Sequence, residues 1–203
     1  MNLRKTLALF FITSFLFVNG AQSATTQWKE NQSQGAKTRL IASFYKDESG
    51  KDKLIAGLHF QIGKGWKIYG NSADGIGIPP SFDFSGSQNY QNHELFWPKA
   101  NEEQEEIGTE ILKYTTYRDE IIIPIEVNFA DFGKKTKLSL QVSYGLCKDV
   151  CIPANDSFLL EIPKEIDQKA LSLIQDFYPK KIAKEEPEEN PQKEEYAEEK
   201  PSM

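Results

Sequence analysis

Sulfur and imidazole are scarce in this chain. It holds two cysteines, Cys147 and Cys151, two methionines, Met1 and Met203, and two histidines, His59 and His93. The histidines stand far apart and well upstream of the cysteines, so a tetrahedral zinc set lacks clustered ligands, and a copper site built on thioethers has none. No metal site is expected. Neither histidine neighbours a candidate nucleophile, and no Gly-x-Ser-x-Gly elbow occurs, which leaves hydrolase chemistry without support. The glycine-rich stretch from Gly63 to Pro80 lacks both the Gly-Lys-Ser/Thr ending of a phosphate loop and the strand-to-helix setting of a dinucleotide fingerprint. No cofactor is expected either. Positive charge is also short: Lys and Arg total 24 against 30 Asp and Glu, for a net charge of -6 and a pI near 5.1. That balance opposes nucleic-acid binding and adhesion to anionic lipid. Beyond Val18 no apolar run approaches the roughly 20 residues of a membrane span.

The two ends of the chain are unlike its middle. Arg4 and Lys5 precede an apolar run from Leu7 to Val18, and Ala21, Ser23 and Ala24 supply small residues for cleavage, so residues 1–24 read as a signal peptide. The mature protein is expected outside the cytoplasm. Residues 183–203 alternate Glu, Lys and Pro with almost nothing able to enter a core, and read as a disordered acidic tail. Between them the length suits one domain, over residues 36–164, with a short helical addition.

Alternation dominates that middle. Leu54, Ala56, Leu58, Phe60 and Ile62 share one strand face, with His59 and Gln61 on the opposite, polar face. Ile121 to Phe129 alternates in the same way, with Pro124 marking an edge or a bulge, as do Leu138 to Tyr144 and Phe158 to Ile162. Residues 39–45 and 112–116 are weaker strands. The acidic stretch 99–108 reads as a solvated loop. Several short strands between Gly, Asn, Asp and Pro turns point to an all-β chain folded as an antiparallel sandwich. Ile166, Ala170, Leu171, Ile174 and Phe177 recur at helical spacing before Pro179, so residues 165–178 are expected as a helix packed on the sandwich. Trp66 and Tyr69, set among the glycines, are expected to anchor a core corner, with a ligand-lining role as the alternative.

The cysteines remain. Two lone cysteines four positions apart in an exported chain are expected to meet as a disulfide. Closing a loop of roughly five residues stabilises a fold by about 2 kcal/mol in the chain-entropy account, against about 4.7 for a loop of a hundred, so this spacing suits a redox pair better than a brace. Gly145 and Pro153 flank the pair, which places it near the tip of a connection between two strands. Lys148 favours a thiolate there and Asp149 disfavours one.

Three motifs in order carry a resemblance: Gly65-Trp66-Lys67-Ile68-Tyr69 running on through Asn71, Asp74 and Gly77 to Pro79-Pro80, then residues 117–127, then the surroundings of Cys147 and Cys151. Together they resemble the amino-terminal periplasmic domain of DsbD-type thiol:disulfide interchange proteins, in particular the ScsB-like branch. The resemblance implies an immunoglobulin-like sandwich in the periplasm with a redox-active Cys147–Cys151 pair. Electrons would come from a membrane-embedded reductase and pass to thioredoxin-fold proteins, among them disulfide isomerases and cytochrome c maturation reductases. By the same resemblance Cys151 attacks, Cys147 resolves, Tyr69 stands beside the site, and the segment before Gly108 caps it, with Ile107 near the position of the family's capping aromatic. Relatives of this type continue into membrane helices and a second redox domain, whereas this chain ends in its acidic tail, so transfer is expected in trans as a component of a thiol:disulfide oxidoreductase system. The competing expectation is a non-catalytic envelope binding module with a structural disulfide.

Overall fold

A computed structural model describes residues 24–31, 35–73 and 76–180. The expected signal peptide, up to its last residue, and the acidic tail lie outside the described residues. In chain order the strands are β1 (Lys29–Glu30), β2 (Ala36–Lys46), β3 (Asp52–Ile62), β4 (Lys67–Ala73), β5 (Ser81–Asp83) and β6 (Tyr90–Leu95). They continue with β7 (Asn101–Ile107), β8 (Glu110–Tyr117), β9 (Glu120–Phe129), β10 (Thr136–Cys147) and β11 (Cys151–Ile162), and one helix, α1 (Gln168–Gln175), follows. Two antiparallel sheets form, ordered β1-β2-β3-β9-β6 and β11-β10-β4-β8-β7, with β5 beside β10. No helix among the described residues is long and apolar enough to cross a membrane.

The alternating faces do what their period requires. Leu40, Leu58, Phe60, Ile123 and Ile125 of the first sheet meet Ile68, Leu138, Leu140, Val142 and Tyr144 of the second in one buried cluster. This is the sandwich core that the period-two pattern implies. A hydrogen-bonded link crosses it, in which the Thr38 and Tyr144 hydroxyls both donate to Asp156 Oδ2, at 2.6 and 2.9 Å.

The outer face of the first sheet is covered as well. Ile41, Ile55 and Ile122 point away from the sandwich and bury against Leu171 and Ile174 of α1 and Tyr178 beyond it. The helix starts where Asp167 accepts a hydrogen bond from the Ala170 backbone at 3.0 Å, an N-cap. It is shorter than the periodic stripe suggested: Ile166 precedes its N-cap, and Phe177 follows its last residue in a turn where the Phe177 backbone donates to the Ile174 carbonyl at 3.0 Å.

Three local expectations need correction. His59 is buried, since β3 is an interior strand with cover on both sides: the Trp28 ring lies against it, Arg39 Nε donates to Nδ1 at 3.1 Å, and Nε2 meets Glu120 Oε1 at 2.7 Å. Residues 101–107 are a strand, not a loop, paired with β8 through a turn in which Gly108 takes a positive φ of 66°. Pro124 lies in an interior strand. Its carbonyl accepts from the Phe96 backbone at 2.9 Å, on the β6 side, so the missing N–H falls just past Leu95, where β6 ends.

Candidate functional site

Cys147 ends β10 and Cys151 begins β11, and the two face each other on the last rung of that hairpin. Between them Lys148, Asp149 and Val150 form the turn, in which the Lys148 backbone donates to the Val150 carbonyl at 3.1 Å. The sulfurs are joined as a disulfide, with Cα atoms 4.0 Å apart. Directly opposed positions on adjacent strands are the closest approach two residues of a sheet make, so the hairpin register alone brings the thiols together.

The pair is asymmetric. Cys147 is 2% exposed, whereas Cys151, the first residue of β11, is exposed beside the turn. Around Cys151 the chain presents apolar side chains to solvent: Val150 is 72% exposed, and Ile152 is 39% exposed.

Behind Cys147 stand two aromatic rings. Tyr69 and Tyr114 form a buried cluster with it, ring centroids 5.4 Å apart and tilted, and Ile76 packs on its side. Pairing of β4 with both β10 and β8 creates this enclosure. The glycine-rich stretch closes it, since Gly77 lies flat on Tyr69. A Cβ at Gly77 would come within 2.4 Å of that ring, and its φ of 79° belongs to glycine. Next to it the Ile78 carbonyl accepts from Gly145 of β10 at 2.8 Å, tying the segment to the cysteine hairpin.

Of the residues expected at the site, Tyr69 is thus brought to Cys147. Trp66 instead packs on the sandwich core and covers Gly35, where a Cβ would meet its ring at 2.7 Å. Ile107 stands at the tip of the β7–β8 hairpin, 51% exposed and outside the cluster that holds Cys147.

An ionic group completes the surroundings. Glu103 of β7 accepts from Lys67 Nζ at 2.8 Å, Thr116 Oγ1 at 2.6 Å and Arg118 Nη2 at 2.8 Å. Burial pushes its carboxyl pKa up, but these three donors outweigh burial and hold it at about 2. Lys67 is held above its ordinary value: burial disfavours its charge, and the bond to Glu103 more than offsets that. Its ammonium sits over the rings of Tyr114 and Tyr69, 4.9 and 5.5 Å from their centroids. Tyr114, Glu103, Thr116 and Arg118 received no site role from sequence. Only the weak alternation of residues 112–116 hinted at Tyr114, and the acidic run around Glu103 gave no sign of a buried partner.

Among solved structures, the N-terminal periplasmic domain of ScsB from Proteus mirabilis is similar in fold, with a TM-score of 0.52 and 22% sequence identity. The match covers 69% of this chain and 52% of that one, so the chain spans about half the length of that structure. No curated protein sequence matches the chain. A family model described as the N-terminal part of thiol:disulfide interchange protein DsbD matches residues 42–163, which take in both cysteines and both tyrosines behind them. That span is more than half of the chain, and the protein therefore belongs to the family of DsbD N-terminal, thiol:disulfide interchange domains.

Proposed function

We propose that the chain is a periplasmic electron relay, reduced at Cys147–Cys151 by a membrane-embedded reductase acting in trans and reoxidised by thioredoxin-fold proteins. The observation that carries this reading is the asymmetry of the pair: one cysteine is enclosed by tyrosines and its partner is exposed beside the turn. Exchange needs one sulfur within reach and a second that arrives only from within. In the reduced carrier the Cys151 thiolate attacks a disulfide of the acceptor and forms a mixed disulfide, and one acceptor sulfur leaves as a thiolate. Cys147, as a thiolate, then attacks Cys151 Sγ and releases the second acceptor sulfur. Two electrons pass to the acceptor, and the Cys147–Cys151 bond is restored. Reduction by the donor runs the same steps backwards, through the same exposed sulfur. The apolar side chains of Val150 and Ile152 beside Cys151 suit a protein acceptor rather than a small charged thiol. The similarity to a periplasmic domain of ScsB supports the compartment.

Trapping tests the proposal. Cys147→Ser leaves Cys151 without a resolving partner, and this variant is expected to accumulate mixed disulfides with thioredoxin-fold proteins, while Cys151→Ser accumulates few. If neither variant traps such a protein and both keep the fold, the pair is a structural disulfide and the chain a binding module.

A further inference from the structure

Apart from Lys148 and Asp149 of the turn itself, whose charges oppose each other, Lys67, Glu103 and Arg118 form a charged cluster beside the rings that pack on Cys147, and the exchange steps above leave it without a task. Lys67 occupies the rung of Cys147 in the β4–β10 ladder. Residues directly opposed in an antiparallel pair project from the same face, with Cβ atoms about 4.5–5.5 Å apart. Its ammonium rests on Tyr69 and Tyr114, the two rings that pack on Cys147. The side chain is only 14% exposed and is tied to Glu103, two strands away. A lysine at a sheet surface ordinarily keeps its rotamer freedom in water, so this confinement has an entropic cost that a purely solvated role does not explain.

The disulfide is uncharged and makes no demand on that cation. The reduced pair does. An aromatic enclosure raises the pKa of a buried thiol, and Cys147 must become a thiolate to resolve the mixed disulfide. We infer that Lys67 is a positioning residue of the exchange: its ammonium, held by Glu103 against Tyr69 and Tyr114, stabilises the Cys147 thiolate. The Cys147 proton passes to solvent, the thiolate electron pair forms the bond to Cys151 Sγ, and the bond from Cys151 to the partner sulfur breaks. That sulfur leaves as a thiolate. Lys67 touches neither partner nor bond; it sets the fraction of Cys147 ready to react.

This inference rests on the exchange reading, and its test is separable from that of the relay. In the full chain carrying Cys151→Ser, the Cys147 thiolate is titrated by its ultraviolet absorbance, alone and combined with Lys67→Met, Lys67→Gln or Lys67→Arg. An opposite charge within about 4–6 Å lowers a thiol pKa by about one unit or more, so Met and Gln are each expected to reduce the thiolate fraction about tenfold at a pH well below the thiol pKa. Arg restores it. Gln retains a donor for Glu103, so it reports on charge should Met disturb the fold. Titrations that coincide with the parent in both neutral variants, or an Arg variant displaced as far as Met, overturn the inference. A shifted titration with no trapping on Cys151 leaves the coupling of Lys67 to the Cys147 thiolate standing and removes its part in exchange together with the relay; trapping with an unshifted titration keeps the relay and overturns the role of Lys67.

Discussion

Cys147 and Cys151 share a rung but not an environment, and glycine sets much of the difference. Gly77 lies against the Tyr69 ring that packs on Cys147. Its φ of 79° is matched by Gly50, around which a Cβ would find nothing within 4 Å. The two positions make a controlled pair. Alanine at Gly50 meets only the left-handed backbone penalty, about 1–2 kcal/mol, whereas alanine at Gly77 also strikes the tyrosine ring. Urea denaturation is expected to show Gly77→Ala less stable than Gly50→Ala by at least about 1 kcal/mol, a modest estimate for forced overpacking. In the reduced Gly77→Ala protein Cys147 is also expected to be alkylated faster. Equal losses would mean that Gly77 does not hold Tyr69 in place.

Strands and their neighbours decide what a single residue's pattern can reveal. The inward faces of β3, β9, β10 and β11 were legible, because a core between two sheets imposes period two on both. Of the cover on the outer face, the helix was legible from its apolar stripe, but the cover over His59 was not: alternation assigns His59 a face, while Trp28 and Arg39 arrive from the chain before β2 and from β2 itself. The strand at residues 101–107 was hidden for a related reason. It is an edge strand whose charges keep it from pairing further, so its sequence is acidic rather than alternating. The cysteine pair was readable from its rarity alone, but the Lys67–Glu103 contact exists only through the registers of β4, β8 and β7.

The buried histidine gives β3 a pH signature. Burial depresses the His59 pKa below 6.5, and the Arg39 charge adds to this, while Glu120 opposes it. Because Arg39 donates to Nδ1, the ring is neutral and its Nε2–H faces Glu120. A histidine with a depressed folded pKa contributes stability above its unfolded pKa and loses it as pH falls through and below 6.5. Glu103, held at about 2 against an ordinary 4.5, loses its contribution only below that ordinary value. Between pH 7 and 5 the urea midpoint of the protein is therefore expected to fall further than that of His59→Gln. Equal falls would show that His59 is not the titrating group.

Across the whole molecule the fold does not lean on its disulfide. The β10–β11 hairpin is zipped from Thr136↔Ile162 to Cys147↔Cys151, and Asp156 ties it to Thr38 of the opposite sheet. The bridge closes only the three-residue turn at the far end of that zipper. Reducing it should leave the sandwich standing, so oxidised and reduced forms differ little in stability and the bond is easily given up. The reduction potential of Cys147–Cys151, measured by equilibration with glutathione, tests that claim most directly. A relay requires a value near about -200 mV, in the range of exchange-active pairs, and a value below about -300 mV would mark a structural bridge and contradict it.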